Sequence, residues 1–211
     1  MANDHIVYIV DDDRRIRESL LELLESFGMN ALAFGSVADF MAHPRLELPA
    51  CLILDVELPD INGLEFQGKI AQGAITQPNS PHIVFITGHG DIPSSVRAIK
   101  AGAVDFFIKP FRHDELMRAI ESALTQNREA RAKRAGLAEF RERLASLTPR
   151  ELEVLSLVVS GLLNKQAAAE LGISENTLQV HRGNVMKKMR AGSLAELVRM
   201  AGVLDISLIR R

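Results

Sequence analysis

The first 125 residues carry five short apolar runs, HIVYIV, NALAF, CLILD, HIVFIT and VDFFI. Amphipathic stretches near 14–27, 36–42, 63–72, 92–100 and 113–124 separate them. A short continuous apolar run reads as a strand buried on both faces, and each connection is long enough to hold a crossover helix. This pattern predicts an α/β domain with a five-stranded parallel sheet covered on both sides. In such sheets ligands bind beyond the carboxyl ends of the strands.

After residue 125 the period becomes helical throughout. The stretch TQNREARAKRAGLAEFRERLASL places Leu137, Phe140, Leu144 and Leu147 at helical spacing. It reads as a helical linker over 125–146, packed on its own chain or on a twin in a dimer. Gly136 weakens the case for one unbroken helix. LTPRE follows, with Thr148 as cap, Pro149 in the first turn and Glu151 three residues on, a capping box. Helices are expected over 149–160, 165–171, 175–190 and 193–201. Gly161 and Gly172 suit helix ends and Ser174 the next cap. A short helix, a tight turn and a longer polar helix read as helix-turn-helix. The chain thus divides into an α/β domain at 1–124, the linker, and an all-α four-helix domain at 147–211.

Charge sharpens this division. The net charge of −2 separates into −8 over residues 1–125 and +6 over 126–211. A basic C-terminal part suits an anionic partner such as nucleic acid. The single cysteine, Cys51, cannot form an internal disulfide, which fits a reducing, cytoplasmic setting. No apolar run approaches the roughly 18–20 residues that span a membrane.

The strand ends carry the candidate chemistry. Asp11 and Asp12 follow the first strand, and Asp55 ends the third. If these strands are neighbours, three carboxylates converge, and such crowding requires a proton or a cation. A hard-oxygen donor set with open positions favours Mg²⁺. Asp55 could then act as a nucleophile towards phosphorus. The fourth and fifth strands end in Thr87 and Lys109, a hydroxyl donor and an ammonium that suit the oxygens of a phosphoryl-aspartate. Asp13 precedes RRIRESLLELL, where a carboxylate favours a helix N-terminus.

VDD (10–12), LILDVELPDINGLE (52–65), FITGHG (85–90) and AGAVDFFIKPF (101–111) together resemble the receiver domain of bacterial two-component response regulators. The resemblance implies a flavodoxin-like sheet of order 2-1-3-4-5. Asp55 would accept a phosphoryl group from a sensor histidine kinase, with at most slow autodephosphorylation and no other enzyme activity. Asp12 would hold Mg²⁺ directly and Asp11 through water, and the backbone carbonyl of Glu57 would add a ligand. Lys109–Pro110 is expected to be cis. Thr87 and Phe106 would act as the switch, moving the surface of helix 92–100, strand 104–107 and helix 113–124.

LTPRELEVLSLVVSGLLNKQAAAELGISENTLQVHRGNVMKKM, extended by SLAELVRMA, resembles the output domain of NarL/FixJ-type (LuxR-like) regulators, nearest the FixJ branch. Ala167 departs from the isoleucine usual in that family. The helix over 175–190 is long enough to lie in a major groove. Thr177, Gln179, Val180, Arg182, Gly183 and Lys187 are expected on its exposed side, and Leu178, Val185 and Met189 on its buried side. Gln suits adenine, Arg guanine and Val the thymine methyl group. By family position Gln179, Val180 and Gly183 face bases, while Asn164, Lys165, Thr177 and Lys187 contact phosphates of double-stranded DNA. His181 reads as a packing or hydrogen-bonding residue. The implied behaviour is a homodimer formed on phosphorylation, reading paired half-sites and meeting RNA polymerase.

Two other readings remain at this point. A Mg²⁺-dependent aspartyl phosphatase would need a second acid two residues after its nucleophile. Asp55 is followed by Val56 and Glu57, so the DxD pattern is absent. A regulator independent of phosphorylation would not need the complete acid, threonine and lysine set.

Overall fold

The computed structural model describes residues 4–72, 80–90 and 92–203. The chain folds as two compact units, Met1–Arg131 and Ala132–Arg211.

In the first unit, strands β1 (Ile6–Val10), β2 (Ala31–Phe34), β3 (Ala50–Asp55), β4 (His82–Thr87) and β5 (Asp105–Ile108) alternate with helices α1 (Arg14–Ser26), α2 (Val37–Ala42), α3 (Gly63–Ala71), α4 (Ile92–Lys100) and α5 (His113–Ala145). They form one parallel sheet of order β2-β1-β3-β4-β5, as expected. Side chains alternate across the strands. Tyr8, Leu52, Leu54 and Phe85 pack with Val37, Phe40, Phe66 and Ala98 of α2, α3 and α4. Val7, Ile9, Ile53 and Ile86 pack with Leu20 and Leu24 of α1 and with Leu116, Ile120 and Leu124 of α5. Both faces are therefore covered, and β1, β3 and the interior of β4 are apolar at nearly every position because both faces are buried along them. Cys51 lies on the same buried face as Ile53, where burial pushes its thiol pKa up.

The expected linker is helical: all of it but Ser146 lies within α5. The chain's division at 131/132 falls inside that helix. Asn127 is fully buried in the first unit, whereas Phe140 and Leu144 pack on the core of the second. Asn127 fastens α5 to the sheet: its Oδ1 accepts from Ala50 N at 3.1 Å and its Nδ2 donates to Ser80 O at 2.8 Å. The helix continues through Gly136. A cost of about 1 kcal/mol for glycine in a helix is small beside the burial of a leucine and a phenylalanine one and two turns on.

The second unit holds α6 (Pro149–Val159), α7 (Asn164–Leu171), α8 (Glu175–Met189) and α9 (Leu194–Val203). Its core joins Val154, Leu155 and Val158 of α6, Ala167 and Ala168 of α7, Leu178, Val185 and Met189 of α8, and Leu197 and Met200 of α9. The capping box is formed in full: Thr148 Oγ1 accepts from Glu151 N, and Glu151 Oε2 accepts from Thr148 N at 2.8 Å. Gly172 ends α7 at φ +66°, a conformation costly for other residues, and Ser174 caps α8.

Candidate functional site

Sheet register assembles the first site. β1 pairs with β3 through Val10 and Leu54, so the next residues, Asp11 and Asp55, emerge side by side. Asp55 pairs with Ile86, and Thr87 pairs with Ile108, which brings Thr87 and then Lys109 to the same sheet edge. Carboxylate oxygens of Asp11, Asp12 and Asp55 lie within 4.8 Å of one another. Lys109 Nζ stands between two of them, 2.7 Å from Asp11 Oδ2 and 2.9 Å from Asp55 Oδ2. The cation that makes the crowding tolerable is thus supplied by the chain itself. Burial alone would lower the Lys109 pKa, but its bonds to Asp11 and Asp55 outweigh this and hold it above the ordinary value. Burial pushes the fully enclosed Asp11 carboxyl up, against the pull of the lysine.

The three adjacent acids have separate surroundings. Asp11 is buried, and its Oδ1 accepts from Asp13 N at 2.8 Å. Asp12 is exposed. Asp13 caps α1, its Oδ1 accepting from Arg15 N at 2.8 Å, as its position before the helix suggested. Arg17 of α1 donates from Nη1 to the carbonyl oxygens of both Asp11 and Asp12, at 2.7 and 2.9 Å, and so fixes the turn that carries them. Arg17 escaped the sequence reading because a helical arginine gives no signal of a bond five and six residues back.

Thr87 is fully buried. Its hydroxyl donates to His89 O at 3.0 Å and accepts from His89 N at 3.2 Å. Phe106 is half-buried, its ring centroid 6.0 Å from that of Phe85. Glu57 donates its backbone N–H to Asp55 Oδ1 at 3.2 Å. Its side chain meets the exposed His89 ring, Oε2 to Nδ1 at 3.2 Å. The Lys109–Pro110 bond is cis. Gly63, also unassigned from sequence, opens α3 directly below Asp55. A Cβ there would overlap the Asp55 carbonyl oxygen and stand 3.2 Å from the side chains of Leu54 and Phe85.

The second site is on α8. Thr177, Gln179, Val180, Gly183 and Lys187 are exposed, Val180 at 63%. Leu178, Val185 and Met189 are buried, as expected. Arg182 departs from its expected exposed position: it is half-buried, and its Nη1 donates to Asn164 Oδ1 at 2.7 Å at the start of α7. Lys165 beside Asn164 is exposed, and His181 is half-buried. Thr177 N is bonded to the cap Ser174 Oγ at 3.1 Å.

The chain matches two protein families, "Response regulator receiver domain" over residues 7–121 and "Bacterial regulatory proteins, luxR family" over 145–201. Nodulation protein W of Bradyrhizobium diazoefficiens is 47% identical over 202 residues, 96% of this chain and 87% of that protein. Transcriptional regulatory protein FixJ of Rhizobium meliloti is 43% identical over 198 residues, 94% and 95% of the two chains. Among solved structures, response regulator StyR is similar at a TM-score of 0.81 and 44% identity, covering 94% of this chain and 98% of its own. Full-length FixJ from B. japonicum gives 0.55 and 40%, covering 97% and 99%. No described helix is long and apolar enough to cross a membrane.

Proposed function

Because the chain belongs to the NarL/FixJ-type response regulators, in which a receiver domain is joined to a LuxR-type DNA-binding domain, we propose that Asp55 is its phosphoacceptor and that the modification controls dimerisation and sequence-specific DNA binding. The observation that carries this is the Lys109 ammonium bonded to both Asp11 and Asp55 at the strand ends. It orients the Asp55 carboxylate as a nucleophile, and it is already beside the place where new negative charge arrives.

In the proposed step a sensor histidine kinase presents a phosphohistidine. An Asp55 carboxylate oxygen forms the new bond to phosphorus as the P–N bond breaks, and the electron pair leaves on the imidazole nitrogen, which takes a proton. Lys109 transfers a hydrogen bond from Asp55 Oδ2 to a phosphoryl oxygen. Thr87 gives up its bond to His89 O and donates to another. The oxygens of Asp11, Asp12 and Asp55, with the Glu57 carbonyl, suit Mg²⁺ by number and hardness. Bound there, Mg²⁺ would offset charge on the transferring group. The chain is then a phosphoryl acceptor with slow self-hydrolysis at most, acting in the cytoplasm.

Phe106 would follow Thr87 inward and alter the α4–β5 face. That face exposes Ile92, Val96 and Ile99 at helical spacing on α4, and Ile108 on β5. Ile92 is 80% and Ile108 52% exposed, an apolar strip suited to a second receiver. Paired receivers would bring two α8 helices to paired half-sites, with RNA polymerase as a further partner.

Incubation with acetyl phosphate and Mg²⁺, followed by peptide mass mapping, tests the assignment. Wild type should gain a phosphoryl group on Asp55, and Asp55→Asn none at any acid. Equal labelling of the variant would reject Asp55 as the acceptor.

A further inference from the structure

We infer that Arg182 is a positioning residue for a DNA phosphate contact: its guanidinium fixes the Asn164 amide so that the amide N–H donors face the backbone. This rests on the DNA-binding reading above and assigns Arg182 a role other than reading guanine.

Helix geometry is the first ground. An α-helix turns about 100° per residue, so Arg182 points about 160° away from Val180. It stands one turn from the buried Leu178 and Val185 and is itself half-buried, whereas Val180, Gly183 and Lys187 are exposed. One side chain cannot share the face of Val180 and Gly183 from that position. Its guanidinium goes to α7 instead, with Nη1 2.7 Å from Asn164 Oδ1.

Donor chemistry is the second. A guanidinium has only donors, so the arm of the Asn164 amide that meets it must be the carbonyl oxygen. This settles the orientation of the planar amide. Among the described residues no acceptor meets its other arm, Nδ2, which leaves two N–H donors for an acceptor from outside the chain.

Charge is the third. In the same unit Arg143, Arg150, Lys188 and Arg190 each pair with a glutamate. Among the described residues no carboxylate pairs with Arg182. A half-buried cation resting on a neutral amide leaves positive charge behind that amide and polarises its N–H groups. A phosphate oxygen suits both, and the exposed Lys165 adjoins.

The test uses the full-length phosphorylated chain. Duplexes are selected from a randomised library by wild type, and affinities are then measured on the selected duplex and on a scrambled one across a salt series. Arg182→Met, which keeps the apolar stem, and Asn164→Ala should each weaken binding about tenfold on both duplexes. The double variant should lose little more than either alone. The selected base preference should stay unchanged in both, and the slope of log affinity against log salt should fall, by up to about one, only for Arg182→Met, which removes a charge. Asn164→Asp would keep a bond to Arg182 but face the phosphate with a carboxylate. It should bind more weakly than Asn164→Ala without any loss of thermal stability. The inference is overturned if Arg182→Met relaxes preference at one base pair while Asn164→Ala does not, if the two losses multiply, or if Asn164→Asp binds like wild type. A wild-type chain that selects no duplex would overturn the DNA-binding reading as well.

Discussion

Lys109 lies between two carboxylates, and its removal would leave a buried Asp11 and a neighbouring Asp55 without a cation. Lys109→Ala should destabilise the first unit by about 1–3 kcal/mol at neutral pH. Part of that should return on adding Mg²⁺ or on acidification, because Asp11 then takes up a proton more readily folded than unfolded. Chemical denaturation with and without MgCl₂ measures both. Gly63→Ala should cost about 1–3 kcal/mol and slow phosphorylation, since its methyl group displaces the Asp55 carbonyl; calorimetry and acetyl phosphate labelling read the two effects. The acids, Thr87 and Lys109 were legible in the sequence because each ends an apolar run. The distinction between Asp11 and Asp12 was not, since it arises only when the sheet forms and one is enclosed while the other stays wet. Gly63 was hidden for the same reason: what a methyl group would meet there belongs to a strand eight residues away.

In the second unit the start of α6, the end of α7 and the start of α8 are marked by caps, and caps are local. Thr148 with Glu151, Gly172 and Ser174 were therefore readable from sequence. The partner of Glu151 across the unit was not: Lys188 Nζ of α8 donates to its Oε2 at 2.6 Å. This lysine, with the Thr148 N–H, pulls the Glu151 carboxyl from an ordinary 4.5 down to about 2. A carboxyl with a lowered folded pKa stabilises above its ordinary value, and that stability is lost as pH falls from about 4.5 towards 2. Glu151→Gln should therefore flatten the acid limb of the second unit's unfolding curve in that window, measured by helical circular dichroism. The reach of α5 through Gly136 was also illegible, because local propensity disfavours it and the compensating contacts of Phe140 and Leu144 are distant in sequence.

At the scale of the whole molecule, charge and the α4–β5 strip carry the predictions. On the proposed mechanism, Val96→Glu or Ile99→Glu should leave Asp55 phosphorylation intact and prevent the dimerisation expected from it, read by sedimentation equilibrium. A dimer formed equally well by either variant would place the interface elsewhere. DNA affinity should fall steeply with salt, as the net +6 of residues 126–211 leads one to expect. The buried Thr87 hydroxyl is held by both backbone groups of His89. On the proposed mechanism, every unprompted excursion to the active arrangement must first break that grip. A hydrogen bond worth about 1 kcal/mol changes a population about fivefold. On that mechanism the β4–α4 turn would set the leak of the circuit: how far its output strays when no signal has been sent.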